Sequence, residues 1–146
     1  MSQIILDEHL GRNQVLQPIQ HWITVKRVQD LRPREIIKDD RVLTILIHLE
    51  KPTLVTIDMG LWKKRYCDRH YCILYFALLD TQQNQIPSLL RQVFRLETFK
   101  TKAARMGKVA RITFTQVSYW ELGSDKLHSL DWLPRGKSVK DNKATS

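Results

Sequence analysis

The sequence predicts an α/β fold, specifically a three-layer α/β/α sandwich around a mainly parallel sheet. Short apolar runs of strand length alternate along the chain with segments whose apolar residues recur at helical spacing. Two of the apolar runs, at residues 4–6 and 53–57, end directly on an acid. Parallel strands are buried on both faces and read as continuous apolar runs, and strands that alternate with helices favour parallel pairing.

Five segments have the composition of strands. In chain order they cover residues 4–6, 22–25, 53–57 and 71–79, with a final strand or strand pair at 109–119. The first, third and fourth are nearly continuous apolar runs, which is typical of buried strands. The second and the last alternate apolar with polar residues, which is typical of strands with one exposed face.

Helices are predicted between these strands. Residues 10–19 form an approximate helical face that contains a proline. Either Asp39 or Asp40 can cap the next helix, whose apolar residues recur at helical spacing up to a proline that ends it. A third helix can open at Pro87, and its apolar face extends to Phe99.

One folded domain is predicted at residues 1–122, followed by a polar, flexible tail at residues 123–146 where hydrophobic residues thin out. The longest apolar run, Ile73–Leu79, is far shorter than the roughly 20 residues that a membrane-spanning helix needs. We therefore expect a cytoplasmic protein that has no membrane segment.

The charge of the chain is distributed unevenly. The 146 residues carry a formal net charge of +9. Residues 1–60 contain 8 Lys and Arg against 8 Asp and Glu, whereas residues 61–146 contain 16 against 7, so the whole excess lies in the second part. Such asymmetry commonly marks a surface for nucleic acid or for an acidic partner, although a solvated face has the same composition.

Acids at the ends of two predicted strands suggest a metal site in this basic chain. Asp7, Glu8 and Asp58 can meet if their strands are neighbours, because adjacent strands lie about 4.8 Å apart. The next acid can come from Asp39 or Asp40, at the start of the helix that leads into the Asp58 strand. Oxygen-only ligands favour Mg²⁺ or Mn²⁺. The structural alternative is that the two helix-start acids only cap the helix and that Glu8 is an exposed acid.

Two stretches of the chain resemble small stand-alone PIN-like nuclease domains. Ile4–Leu10 (IILDEHL) is similar to the opening of such domains, in which two apolar residues precede Leu, Asp, Glu, Asn and Leu. Lys38–Leu43 followed by Thr53–Asp58 resembles the helix-starting Asp of the family and then its strand ending in Asp. Order and spacing agree over roughly residues 3 to 80.

The resemblance implies an α/β/α sandwich and metal-dependent cleavage of RNA. In many bacterial relatives this activity belongs to the toxin of a toxin–antitoxin pair, so an antitoxin protein is an implied partner, and a homodimer is left open. Carried over by position, Asp7, Asp39 and Asp58 are the implied metal ligands, with Glu8 as an accessory acid. The chain departs from the pattern at His9, where Asn is usual, and at Met59–Trp62, where Gly60 replaces a second acid. Asp68 in the following loop is a candidate substitute for that acid.

Seven basic residues are predicted to hold RNA phosphates: Lys63, Lys64, Arg65, Arg69, Lys100, Arg105 and Lys108. Trp62 and Tyr66 are interleaved with them and can stack bases. A core position is the alternative for Trp62. No feature of the sequence indicates base-specific readout.

Two further functions are compatible with the same acids. A degenerate PIN-like domain would bind RNA or a protein without cleaving, because the acid missing at Gly60 leaves fewer ligands for magnesium. A phosphoacceptor receiver domain also places an acid pair after its first strand and an Asp after its third. The basic charge and the lack of a clear Thr or Ser and Lys pair on the later strands disfavour the receiver.

Overall fold

A seven-stranded sheet organises the computed structural model, which describes residues 3–31 and 39–132, with only the backbone at residue 39. The strands in chain order are β1 Gln3–Leu6, β2 Thr24–Arg27, β3 Pro52–Thr56, β4 Cys72–Phe76, β5 Lys108–Ile112, β6 Gln116–Glu121 and β7 His128–Asp131. Their order in the sheet is β2-β1-β3-β4-β5-β6-β7. The first five strands in this order are parallel, and β6 and β7 are antiparallel to their neighbours. The predicted α/β class with a mainly parallel sheet is confirmed.

Short helices connect the parallel strands. They are α1 Gln17–Gln20, preceded by a π-helical turn at Arg12–Leu16, then α2 Val28–Leu31, α3 Asp39–Ile47, α4 Ile86–Val93 and α5 Lys102–Arg105. Single turns of 3₁₀ helix cover Met59–Leu61, Lys64–Tyr66 and Asp80–Gln85. No helix in the described part of the chain is long and apolar enough to cross a membrane.

Helices cover both faces of the sheet, because successive residues of a strand point to opposite sides. Ile4 and Val55 lie in one buried cluster, together with residues of α1 and α4. Ile5 and Leu54 lie in a second cluster, together with residues of α2 and α3. Every residue of β3 and β4 is buried, which explains why both strands are recognisable as apolar runs. We call the face covered by α3 the α3 face.

The folded domain extends beyond the boundary predicted at residue 122. Strand β7 pairs with β6 from His128 to Asp131, so the prediction that the flexible tail starts at residue 123 is wrong. The strand lies at the edge of the sheet, and three of its four residues are polar, so its composition resembles a loop although Leu130 packs against the core. The rest of the predicted tail, residues 133–146, lies outside the described residues.

Both cysteines are free thiols, as the spacing of Cys67 and Cys72 on one extended segment predicts. Cys72 lies in β4 with no solvent exposure, and burial raises the pKa of its thiol to about 12. Cys67 is partly exposed, and burial also raises the pKa of its thiol.

We expect iodoacetamide at pH 8 to label native protein only at Cys67, and slowly, because the thiolate is the reactive form and Cys72 is inaccessible. In urea both thiols should react. Mass spectrometry of the alkylated protein measures this, with a Cys67→Ser variant as the control. Two alkyl groups added at equal rates to the native protein would contradict the burial of Cys72.

Candidate metal site

The sheet changes its direction of winding between β1 and β3. From β1 the chain moves outward to β2 at one side, and then returns to place β3, β4 and β5 on the other side of β1. In open α/β sheets, ligands bind in the crevice at such a switch point, outside the carboxyl ends of the strands. The residues that follow β1 and β3 are therefore the first candidates for a functional site.

Asp7 follows β1 directly and is buried at this crevice, with 5% of its surface exposed. Its N–H donates to the carbonyl oxygen of Val55 on β3, at 3.0 Å, so the parallel ladder continues to this residue. Its carboxylate is held on both sides. The N–H of Glu8 donates to Oδ1 at 2.9 Å, and the hydroxyl of Thr56 donates to Oδ2 at 2.6 Å.

Asp58 lies two residues beyond Thr56 on the neighbouring strand end. Its backbone is extended, with φ −87° and ψ 110°, and its N–H donates to Thr56 Oγ1 at 3.0 Å. One carboxylate oxygen, Oδ1, accepts from the N–H of Gly60 at 2.8 Å and caps the 3₁₀ turn that follows. Thr56 thus connects the two acids, since its hydroxyl donates to Asp7 and accepts from the backbone of Asp58.

The side chains of Asp7 and Asp58 belong to the same face of the sheet. Leu6 pairs with Val55, so Asp7 lies opposite Thr56, and Asp58 follows Thr56 by two residues of extended chain. Strand geometry then gives about 8 Å between the Cα atoms of the two acids, from about 4.8 Å across the strands and about 6.6 Å along them. Two carboxylates at this separation can reach one ion that lies between them.

The helix α3 brings a third acid toward the same crevice. It packs on the α3 face through Val42 and Leu46, and it ends next to the start of β3, so its first residues lie toward the carboxyl ends of the strands. Asp39 is the first residue of α3, but its side chain is outside the described part of the structure. The alternative acid, Asp40, is exposed, and its carboxylate accepts from the N–H of Arg41 at 3.0 Å.

The described side chains supply a pair of acids rather than a complete metal-binding site. Among residues 3–31 and 40–132, no three or more His, Cys, Asp or Glu side chains are grouped as a metal site. Glu8 is exposed next to Asp7, and its N–H donates to that carboxylate at 2.9 Å. A set of three carboxylates, as the resemblance implies, depends on Asp39.

Asp68 does not replace the acid that is missing at Gly60. It lies just before β4, at the amino ends of the parallel strands, where its carboxylate contacts the N–H and the Nδ1 atom of His70 at 2.8 and 2.6 Å. Asp58 lies beyond the carboxyl end of β3. The two acids are therefore at opposite edges of the sheet.

Gln83 is a residue of this region that sequence reasoning missed. Its buried amide accepts from the N–H of Gly11 at 2.7 Å and donates to the carbonyl oxygen of His9 at 3.1 Å and to the carboxylate of Asp80 at 2.6 Å. It therefore ties the loop after β1 to the turn after β4. A glutamine in a polar segment carries no sequence signal for such a role. Thr56 could have been identified from the sequence, because its hydroxyl lies two residues before Asp58, the acid that follows β3.

Most of the predicted RNA-binding residues lie at the amino edge of the sheet, opposite the acids. Lys64 donates to the carboxylate of Asp125 at 2.7 Å and lies 5.8 Å from the ring of Trp120. Trp120 is paired with Val109 near the start of β5. Lys63, Arg65 and Arg69 are exposed in the segment that leads to the start of β4. Lys100 is exposed on the loop before α5 and pairs with Glu97 at 3.6 Å.

Arg105 is a buried residue, so the prediction that it contacts RNA is wrong. Only 1% of its surface is exposed. Its Nε donates to Thr53 Oγ1 at 3.0 Å, an Nη donates to the carbonyl oxygen of Phe99 at 2.9 Å, and the guanidinium lies 4.1 Å from the centre of the Phe94 ring. Burial lowers the pKa of this guanidinium.

Lys108 is also directed inward and is unsuitable for RNA. It is 8% exposed, its ammonium donates to the carbonyl oxygen of Ala104, and it pairs with Glu121 at 3.3 Å.

The basic residues that lie near the acids are not among those predicted to bind RNA. Arg27 ends β2 beside Leu6 and pairs with Asp30 at 2.9 Å. It lines a cleft of about 330 Å³ together with the exposed Arg12.

Comparison of the chain with protein-family models, with curated proteins and with solved structures finds no match.

Proposed function

We propose that the protein is a metal-dependent ribonuclease of PIN-like type. The observation that carries the proposal is the position of Asp7 and Asp58, which are distant in sequence but adjacent at the switch point of the sheet and connected by Thr56. A buried carboxylate is costly unless it is paired or binds a cation. Asp7 is buried, and the partly buried Asp58 lies beside it on the neighbouring strand end; in a chain of net charge +9, this pair supports a site for a cation that acts on an anionic polymer.

Asp7 and Asp58 would hold the ion, with Asp39 as the third acid and Glu8 as an exposed accessory acid. All the donors are carboxylate oxygens, which suit Mg²⁺ or Mn²⁺ better than zinc. When bound, such an ion makes a coordinated water more acidic and stabilises negative charge that develops on a phosphate. The hydrogen bonds from Thr56 and Glu8 orient the Asp7 carboxylate before any ion arrives. In a toxin–antitoxin pair, an antitoxin protein would inhibit this nuclease activity.

Cleavage of single-stranded RNA in the presence of Mg²⁺ tests the proposal. The wild-type protein should cleave, and an Asp58→Asn variant should be slower by roughly 100-fold, because it loses a ligand charge while its amide oxygen still accepts from Gly60. Excess chelator should stop the wild-type reaction. An Asp131→Asn variant, which loses the same charge on the edge strand β7, is the control and should cleave normally. Equal cleavage by the Asp58 variant, or none with Mg²⁺ or Mn²⁺, contradicts the proposal.

A second candidate is a domain that binds RNA without cleaving it. Two observations favour this candidate. The described side chains contain no group of three or more possible metal ligands, and Gly60 stands where the resemblance has an acid. Binding of RNA that falls steeply with salt and persists in chelator, with no cleavage under either metal, would support this candidate.

A third candidate is a phosphoacceptor receiver domain. It is favoured by the strand order β2-β1-β3-β4-β5, which is the order of receiver domains. Ala77 and Thr113 follow β4 and β5, so the hydroxyl and the lysine of a receiver are not at these positions. Incubation with acetyl phosphate, followed by mass spectrometry, would show a phosphoryl group on Asp58 if this candidate is correct.

A further inference from the structure

Three aromatic rings and three cations form one surface at the amino edge of the sheet. The segment 62–66 supplies two of the rings and all three cations, and β6 supplies the third ring, Trp120. We call this surface the aromatic–cationic platform; it consists of Trp62, Lys63, Lys64, Arg65, Tyr66 and Trp120. All three rings are partly exposed, and all three cations are exposed.

The cations of the platform are positioned against its rings. The guanidinium of Arg65 lies 5.2 Å from the centre of the Tyr66 ring, and the ammonium of Lys63 lies 6.0 Å from it. The rings of Trp62 and Trp120 are 6.2 Å apart and inclined by 32°. Tyr66 and Trp120 therefore each have a cation beside them, and Trp62 lies next to Trp120.

A groove adjoins the platform. It has a volume of about 620 Å³ and is lined by Lys64, Arg65 and Cys67 and by the turn between β6 and β7, residues 121–125, which includes the acids Glu121 and Asp125. Leu122 in this turn is 53% exposed. The segment 62–70 contains four Lys and Arg and one Asp, which gives it a net charge of +3 (4 − 1).

We propose that the aromatic–cationic platform binds single-stranded RNA, as a second binding surface beyond the acids. Proteins that bind single strands combine a basic groove for the phosphates with aromatic rings on which bases stack. An acidic peptide would use the cations but would gain little from the rings, so the rings favour RNA. The inference deepens the proposed ribonuclease function, because it names the surface that holds the substrate away from the site of cleavage.

The platform extends from the amino edge of the sheet toward the acids over the α3 face. Trp120 pairs with Val109 near the amino end of β5 and lies beside Trp62. Trp62 follows Asp58 by four residues, across the 3₁₀ turn Met59–Leu61. A strand of RNA held at the platform would therefore extend over the α3 face to reach Asp58, since Trp62 and Tyr66 pack on that face.

Binding of a fluorescein-labelled oligouridine 12-mer in excess chelator tests this inference separately from cleavage. Fluorescence anisotropy should show that a Lys63→Ala/Arg65→Ala variant binds roughly tenfold more weakly than wild type, because two exposed cations are lost. A matched Arg91→Ala/Arg95→Ala variant loses two exposed cations at and just after α4, on the side of the sheet opposite the α3 face, and should bind like wild type. An Asp58→Asn variant should also bind like wild type, even though it is not expected to cleave.

Competitors separate RNA from other polyanions. An abasic ribose-phosphate 12-mer and polyglutamate of equal charge should each compete at least tenfold less well than unlabelled oligouridine, because neither can stack on the rings. Equal competition by either polymer would overturn the assignment to RNA bases. Unchanged affinity of the Lys63/Arg65 variant would overturn the platform itself. Binding at the platform by wild-type protein that cleaves no RNA with Mg²⁺ or Mn²⁺ would instead count against the proposed ribonuclease and leave the platform supported.

Discussion

Replacing Asp7 with asparagine is expected to slow RNA cleavage strongly and to abolish the stabilisation of the protein by Mg²⁺. Wild-type protein should become more stable by about 1.4 kcal/mol at a Mg²⁺ concentration ten times the dissociation constant, because the ion binds only the folded chain. The variant has the same shape, and its amide oxygen can still accept from Thr56. Its missing charge should remove the Mg²⁺-dependent rise in melting temperature and slow cleavage by roughly 100-fold.

The controls for this prediction use the same charge change elsewhere. An Asp131→Asn variant should keep the full rise in melting temperature, which differential scanning fluorimetry measures with and without Mg²⁺. The Asp7 variant in chelator should be about 1 kcal/mol less stable than wild type, because its amide group can accept from Thr56 or from the N–H of Glu8 but not from both. A Mg²⁺-dependent rise that survives in the Asp7 variant would place the ion somewhere else.

An Arg105→Ala variant is expected to lose about 3 kcal/mol of the free energy of unfolding. The substitution removes a fully buried side chain that contacts the ring of Phe94, and it leaves a cavity. It also leaves Thr53 Oγ1 and the carbonyl oxygen of Phe99 without the donors that Arg105 supplies. Urea denaturation measured by circular dichroism gives the difference between the two proteins.

An Arg105→Met variant separates packing from hydrogen bonding. Methionine restores most of the lost volume without donating to either acceptor, so we expect a loss intermediate between wild type and alanine. RNA binding in chelator should be unchanged in both variants when they are folded, because Arg105 is not at the surface. A loss below about 1 kcal/mol for alanine, within the range of ordinary surface substitutions, would contradict the burial of Arg105.

The parts of the fold that follow from local pattern were predictable. β3 is apolar because it is buried on both faces, and its composition shows this directly. β7 was missed because three of the four residues of this edge strand are polar. The helix predicted to extend from Pro87 to Phe99 ends as a regular helix at Val93. Its apolar pattern continues because the following turns bury Phe99 in the same cluster.

The residues of the candidate site likewise divide into those that the local sequence identifies and those whose role depends on the fold. The acids after two apolar strands identify Asp7 and Asp58 from sequence, because a strand end is a local feature. The hydroxyl of Thr56 acquires its role only when β1 and β3 become neighbours. In the sequence, Arg105 and Lys108 cannot be distinguished from exposed basic residues. Their side chains become buried only when the helices and strands pack together.

The sequence by itself determined which segments form the five parallel strands, that two of them end on acids, and that the positive charge lies in the second part of the chain. Periodicity and composition are local properties, and they are sufficient for these conclusions. Only the tertiary structure decided that the acids meet at the carboxyl edge and that the exposed cations of the platform lie at the amino edge. Strand order and direction depend on pairing between distant segments, and this pairing determines which edge of the sheet each loop reaches.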